Sequence, residues 1–239
     1  SAAIFGPPKG GKSLFCFAMA GQTHRDYPTG RIIKFDTEYR DTAQLSAAKA
    51  KRYGIDLRRY NVIQTNKPGD IFDQIETEIA GHCERGMDLK LIQIDSINGI
   101  MGRRMSNAES VNQVLIGDAA QTLQDGFKRI LAVQRKYNFA VVLTAQVRAE
   151  MDQFEIQKGN TMKMAASFGV RHYAEYFMMI ERLRTKKGGQ DFLGRDFVNE
   201  SRKDMSDRPD LTGHRIRVTM KDSSLGPTNR QGVMTFNYE

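Results

Sequence analysis

GPPKGGKS, residues 6–13, decides how the rest of the chain is read. Gly6, Gly11, Lys12 and Ser13 meet the pattern G-x-x-x-x-G-K-[ST] of a loop that cradles phosphate. Such a loop needs a strand before it and a helix after it. SAAIF (residues 1–5) is a short apolar strand, and SLFCFAMAGQTH (13–24) carries apolar residues at helical spacing. Backbone N–H groups of residues 9–13 can then wrap an anion at a helix N-terminus, where unsatisfied donors and the dipole favour negative charge. Pro7 and Pro8 have no N–H, so the cradle falls to the residues after them. Lys12 is expected on the β- and γ-phosphates of a nucleoside triphosphate and the Ser13 hydroxyl on Mg²⁺. Gly6, Lys9, Gly10, Gly11 and Leu14 complete the expected nucleotide-binding loop.

Working outward, the next residues alternate between strand and helix signals. GRIIKFDTE (30–38) is a compact apolar strand ending in acids, and TAQLSAAKAKRYG (42–54) has helical composition and stops at Gly54. YNVIQT (60–65) is a strand, and PGDIFDQIETEIAGHCERG (68–86) is an amphipathic helix with Ile71, Ile75 and Ile79 at i, i+4 spacing. LKLIQIDS (89–96) and FAVVLTAQ (139–146) are near-continuous apolar runs, as expected of strands buried on both faces. Between them, residues 110–137 form a long helix with Val114, Leu115, Leu123, Phe127, Ile130 and Leu131 on one stripe. This alternation predicts an α/β domain built on a parallel sheet, whose ligands sit at the carboxyl ends of the strands.

The pattern then changes. Residues 147–168 have no usable period and read as mobile loops, YAEYFMMIERL (173–183) reads as a strand, and residues 186–210 form a polar connection. HRIRVTMK (214–221) alternates with period two and GVMTFNY (232–238) less cleanly, which predicts an antiparallel extension of the sheet at its C-terminal end. One domain over residues 1–239 is expected, without internal repeats.

Composition narrows the class. A net charge of +8 fits an anionic partner such as nucleic acid, though many proteins reach it without one. Cys16 and Cys83 are too few and too scattered for a disulfide framework, which points to a reducing, cytoplasmic compartment. No apolar run approaches the roughly 18–20 residues of a membrane span. The chain opens inside a strand without an initiating Met, the expectation for a core preceded by further native sequence.

Polar residues gather at the predicted strand ends. Asp95 closes LIQID, where a carboxylate facing the loop can orient Mg²⁺ and its water, although an Asp there also caps a turn. Glu38 ends IIKFDTE and could orient or deprotonate an attacking water, although a Glu opening a helix is commonplace. Gln146 ends VVLTAQ, where a neutral amide can hydrogen-bond a γ-phosphate and lose that bond on hydrolysis.

Taken in order, GPPKGGKS, IIKFDTEY, YGIDLRRYNVIQTN, LIQIDSING, VVLTAQVR, GVRHYAEYFMMIERL and RVTMKDSSLGP resemble the ATPase core of RecA-type recombinases, closest in style to those of bacteriophages. The resemblance implies a RecA-like P-loop fold over nearly the whole chain, with ATP and Mg²⁺ as ligands. By it Lys12 and Ser13 match the phosphate and Mg²⁺ residues, Asp95 the Walker B acid, and Glu38 the catalytic glutamate. Gln146 matches the glutamine that couples nucleotide state to DNA, which makes Glu38, Lys12 and Gln146 the implied catalytic set. Arg148 falls where the first DNA-binding loop begins and residues 159–171 fall in the second, so Arg148, Lys158, Lys163 and Arg171 are the implied DNA contacts. Lys221 matches a lysine that reaches a neighbouring subunit's ATP. The bacterial proteins carry a second lysine two residues later, where this chain has Ser223, and His172 stands where they carry an interface aromatic.

The function implied is an ATP-dependent recombinase that forms filaments on single-stranded DNA and pairs it with double-stranded DNA. A hexameric helicase motor shares this core and most of its nucleotide residues, and an ATP-gated accessory paralogue is a third alternative. The basic pairs Arg58–Arg59 and Arg103–Arg104 and the run over residues 182–187 read as solvated faces or interface charges.

Overall fold

The computed structural model describes residues 1–106, 117–157, 162–165, 170, 173–183 and 213–237. Val114, Leu115, Lys158, Arg171, His172 and the 186–210 connection lie outside these residues.

The central sheet has eight strands in the order β10-β9-β8-β1-β5-β4-β2-β3. These are β1 (Ala2–Phe5), β2 (Arg31–Asp36), β3 (Tyr60–Gln64), β4 (Leu89–Asp95), β5 (Ala140–Ala145), β8 (Tyr176–Arg182), β9 (Gly213–Ser223) and β10 (Gln231–Asn237). Every pairing from β3 across to β8 is parallel, while β8–β9 and β9–β10 are antiparallel. The chain is therefore α/β, with a mostly parallel sheet and antiparallel strands at its C-terminal end.

Helices cover both faces because adjacent strand residues point to opposite sides. Ile32, Leu91, Val142 and Ile4 pack with Cys16, Phe17 and Ala20 of α1 (Lys12–Asp26) and Ala50 of α2 (Ala43–Tyr53). Ile33, Phe35, Ile92, Ile94 and Leu143 pack on the other face with Leu123, Phe127 and Ile130 of α5 (Asp118–Tyr137), which comes after the short α4 (Arg103–Ser106). Ile71, Ile75 and Ile79 join that second cluster, as their spacing predicts. Their helix is irregular, however. It runs through π-helical segments Gly69–Asp73 and Ile75–Ile79 before closing as α3 (Ala80–Glu84). The α2 helix starts on a Thr42 side chain that accepts from the Leu45 N–H and ends at Gly54 with φ 69°.

The expectation of mobile loops over residues 147–168 is corrected in part. β6 (Val147–Ala149) and β7 (Met162–Met164) pair antiparallel with Arg148 opposite Lys163, and the short helix α6 (Gln153–Gln157) lies between them. Three-residue strands are too short to print a period on the sequence. Among the described residues no helix is long and apolar enough to cross a membrane.

Candidate functional site

β1, β2, β4 and β5 run parallel, so their carboxyl ends meet on one edge of the sheet. There Gly10, Lys12, Ser13, Glu38, Asp95 and Gln146 line one cleft of ≈ 530 Å³, joined by Lys9, Gly11 and Leu14. Glycine is needed in the loop for clearance. A Cβ on Gly6 would stand 2.0 Å from the Ile180 carbonyl oxygen of β8, and one on Gly10 would stand 2.9 Å from the Pro7 oxygen and 3.2 Å from that same Ile180 oxygen. Gly11, with φ 99°, caps α1 without any side-chain hydrogen bond to the helix's first N–H groups. Lys9 also adopts a positive φ of 58°.

The Lys12 ammonium folds back over the loop, donating to the carbonyls of Gly6 at 2.8 Å and Pro7 at 3.0 Å. Burial lowers its pKa, against the opposing pull of Asp95 and Glu38. A lysine so held presents one charge toward the helix start, which suits a bound polyanion.

Across the cleft, the Asp95–Ser96 peptide is cis. Asp95 Oδ1 accepts from the Thr144 hydroxyl at 2.6 Å, Oδ2 meets the Lys34 ammonium at 3.1 Å, and the Ser13 side chain is hydrogen-bonded to the same carboxylate. Burial alone would raise the Asp95 pKa. Lys34 and these hydrogen bonds outweigh it and hold the group below its ordinary value, hence ionised. A carboxylate offers about four acceptor positions, so Asp95 keeps capacity toward the cleft after these contacts. Among the described residues no three His, Cys, Asp or Glu side chains cluster as a metal cage. A hydroxyl beside one ionised carboxylate fits Mg²⁺, which keeps several waters and takes few protein ligands.

Glu38 occupies the mouth of the cleft. Its Oε1 accepts from the Ser96 hydroxyl at 2.7 Å and from the Gln146 amide at 3.3 Å, while Oε2 pairs with Arg40 at 2.8 Å. The turns that carry these residues are interlocked. Thr37 Oγ1 accepts from Ser96 N–H at 2.9 Å and donates to Ser96 O at 2.5 Å.

The sequence reading misses Lys34. It is buried at the centre of β2, bonded to Asp41 at 2.5 Å, and its ammonium lies 4.7 Å from the centre of the Phe17 ring. Lys49 bonds the other oxygen of Asp41 at 2.9 Å. Burial works against the Lys34 charge, but Asp95, Tyr60 and Asp41 outweigh it and raise its pKa. The available signal is a single lysine inside the apolar run IIKF. Arg182, at the end of β8, and His214, on the antiparallel β9, also line the cleft and are not anticipated.

Two groups expected from the resemblance stand apart from the cleft. Lys221 lies toward the opposite end of the sheet. Arg182 at the end of β8 pairs with Ile216, whereas Ser223 pairs with Tyr176, which is beside Ala2 at the start of β1. Arg148 and Lys163, assigned by the resemblance to separate loops, are cross-strand partners in one hairpin. Lys163 is ion-paired with Glu150, whose pKa falls to about 2 through that contact and backbone N–H bonds from Asp152 and Met151. Met151 and Phe154 stand exposed on the same segment. Lys158 and Arg171 lie outside the described residues.

No protein-family model matches the chain. It is 23% identical over 184 residues, 77% of its length, to Protein RecA of Ureaplasma parvum serovar 3 in two strains. Those residues cover 49% of the relative, so the chain spans about half the length of the curated relatives it matches. The similarity is a distant one, and with the α/β sheet it supports a RecA-like relationship.

Proposed function

We propose that this chain is the ATP-hydrolysing core of a RecA-like recombinase that assembles on single-stranded DNA. The observation that carries the reading is Glu38, whose Oε1 is shared by Ser96 and Gln146 in the same cleft as Lys12, Ser13 and Asp95. In this reading the loop of residues 6–13 and Lys12 bind the triphosphate, and Gly6 and Gly10 let that loop seat against β8. Ser13 and Asp95 would hold Mg²⁺, which supplies charge neutralisation on the phosphates. Lys34 and Thr144 keep Asp95 oriented and ionised. Glu38 orients the attacking water and accepts its proton, and Gln146 exchanges its Glu38 contact for the terminal phosphate.

The hairpin of β6 and β7 is the proposed DNA contact, with Arg148 and Lys163 on its strands and Phe154 exposed for base stacking. Lys221, toward the sheet end remote from the cleft, would serve a neighbour's ATP in a head-to-tail assembly. Such interfaces give rings when the rotation closes and filaments when it does not.

The test is ATP hydrolysis with and without single-stranded DNA, for the wild type and Glu38→Gln. The wild type should be stimulated by DNA. The variant should retain nucleotide binding and lose hydrolysis by about 10²–10⁴-fold, the usual cost of a missing general base. Hydrolysis at the wild-type rate in Glu38→Gln would remove Glu38 from the chemistry. Imaging with ATP and single-stranded DNA separates the assemblies. A helical filament supports the proposal, a closed ring assigns a helicase motor, and neither assigns an accessory DNA-binding protein.

A further inference from the structure

Beyond the cleft, one side chain bonds both feet of the hairpin. Asn98 lies two residues past Ser96, in the short 3₁₀ turn Ile97–Gly99 that follows β4. Its Oδ1 accepts from the Gln146 backbone N–H at 2.7 Å, and its Nδ2 donates to the Ala165 carbonyl. The ring closes because the Ala165 N–H donates to the Gln146 carbonyl at 2.7 Å. Gln146 immediately precedes β6 and Ala165 immediately follows β7, so these bonds tie together both feet of the hairpin.

The same three residues reach the cleft by two routes. The Gln146 side chain donates to Glu38 Oε1, and Ser96, on the turn that carries Asn98, donates to that same oxygen. That turn has little room to move independently. A Cβ on Gly99 would stand 2.3 Å from Thr37 Oγ1, the atom that already bonds Ser96. A shift of Glu38 or Thr37 is therefore felt at Asn98 through packed, bonded neighbours. Asn98 itself is exposed, so water competes for its bonds and the ring can open without unfolding the core.

We infer that Asn98 is a positioning residue that seats the 147–164 hairpin on the turn after β4 and passes the state of the cleft to Arg148 and Lys163. The inference rests on the proposed nucleotide function of that cleft. Asn98 touches neither Lys12 nor Asp95 nor Glu38 in the bonds described, so it is not part of the catalytic set. Asparagine suits the role chemically because one planar amide both accepts from one foot and donates to the other. Aspartate would keep the first bond and turn the second into a carboxylate facing a carbonyl.

The experiment is amide hydrogen exchange of residues 147–164 with and without Mg²⁺ and a non-hydrolysable ATP analogue. It is run on the wild type, Asn98→Ala and Asn98→Asp, alongside the affinity of each for the analogue. In the wild type the analogue should change exchange in the hairpin by several-fold. Both variants should bind the analogue within about threefold of wild type, yet the hairpin should exchange at one fast rate whether or not it is present. Asn98 is exposed, and unchanged exchange in the β4 and β5 amides shows that each variant keeps its fold. A wild type that fails to bind the analogue overturns the nucleotide reading, and the inference falls with it. A wild type that binds but shows no hairpin response overturns the inference alone. So does a full hairpin response in the variants.

Discussion

Lys34 and Lys163 both pair with carboxylates, but they do so in opposite surroundings. Lys34 and Asp41 have side chains 1% and 3% exposed, and Lys34 also holds Asp95. Lys163 and Glu150 are 28% and 10% exposed at the foot of the hairpin. Inside the sheet, separating the charges leaves an uncompensated ion in a poor solvent. At the hairpin, where both side chains are more exposed, water or another anion can replace the partner at lower cost. The same chemistry thus fixes the strand beneath the cleft and leaves the hairpin beside it more open to exchange.

The largest expected effect is at Lys34. Lys34→Met leaves Asp41 and Asp95 without their shared cation and should lower unfolding free energy by about 3–5 kcal/mol, read by chemical denaturation. Joint replacement with Asp95→Asn should recover part of that loss, because Asp41 retains Lys49 whereas Asp95 has lost its ion pair. A loss under about 1 kcal/mol would place the Lys34 pair in the same energetic class as the half-buried hairpin pair and end the contrast.

His214 gives an intermediate case, a buried group that stays neutral. Burial lowers its pKa from 6.5 to about 4, with the Arg182 charge adding to the effect. Above pH 6.5 both folded and unfolded chains hold it neutral. Between 6.5 and about 4 the unfolded chain takes up a proton that the folded chain refuses, so stability falls with pH by up to roughly 3 kcal/mol. Thermal unfolding at pH 7.5 and 4.5 should show this drop in the wild type and a smaller one in His214→Gln. His24, whose pKa is also lowered by burial and by Arg59, should leave a residual slope. An equal drop in both proteins would remove His214 as its source.

The smallest effect on folding belongs to the hairpin. Lys163→Ala should change stability by less than about 1 kcal/mol. If the hairpin binds single-stranded DNA, the slope of log K against log salt should flatten by about 0.7. Glu150→Gln should act the other way, releasing Lys163 and tightening DNA binding. If neither variant alters the slope, the exchangeable charges serve another surface.

How much of this could be read from sequence follows the same division. β4 and β5 are readable as continuous apolar runs because both faces of a parallel strand are covered. The Ile71, Ile75 and Ile79 stripe survives even though its helix passes through π turns, since all three still meet the α5 face. The positions of Glu38, Asp95 and Gln146 are readable because each lies at or within two residues of a strand end, and parallel strands bring those ends to one edge. Lys34 is not, because its partners come from Asp41 and Asp95, brought beside it only by the fold. The hairpin escapes because its strands carry three residues each, and Arg182 and His214 because β8 and the antiparallel β9 deliver them from the other end of the chain.

The glycine seam against Ile180 has a separate consequence. Gly6 and Gly10 flank one carbonyl of β8 at distances that leave no space for a methyl on Gly6. The loop and the strand therefore fit with machine-shop clearance, whatever ligand the loop receives. An alanine at Gly6 would be a shim driven between β1 and β8, displacing Arg182 directly and His214 through β9. Activity lost on Gly6→Ala would register as a misaligned frame, felt before any phosphate entered the cleft.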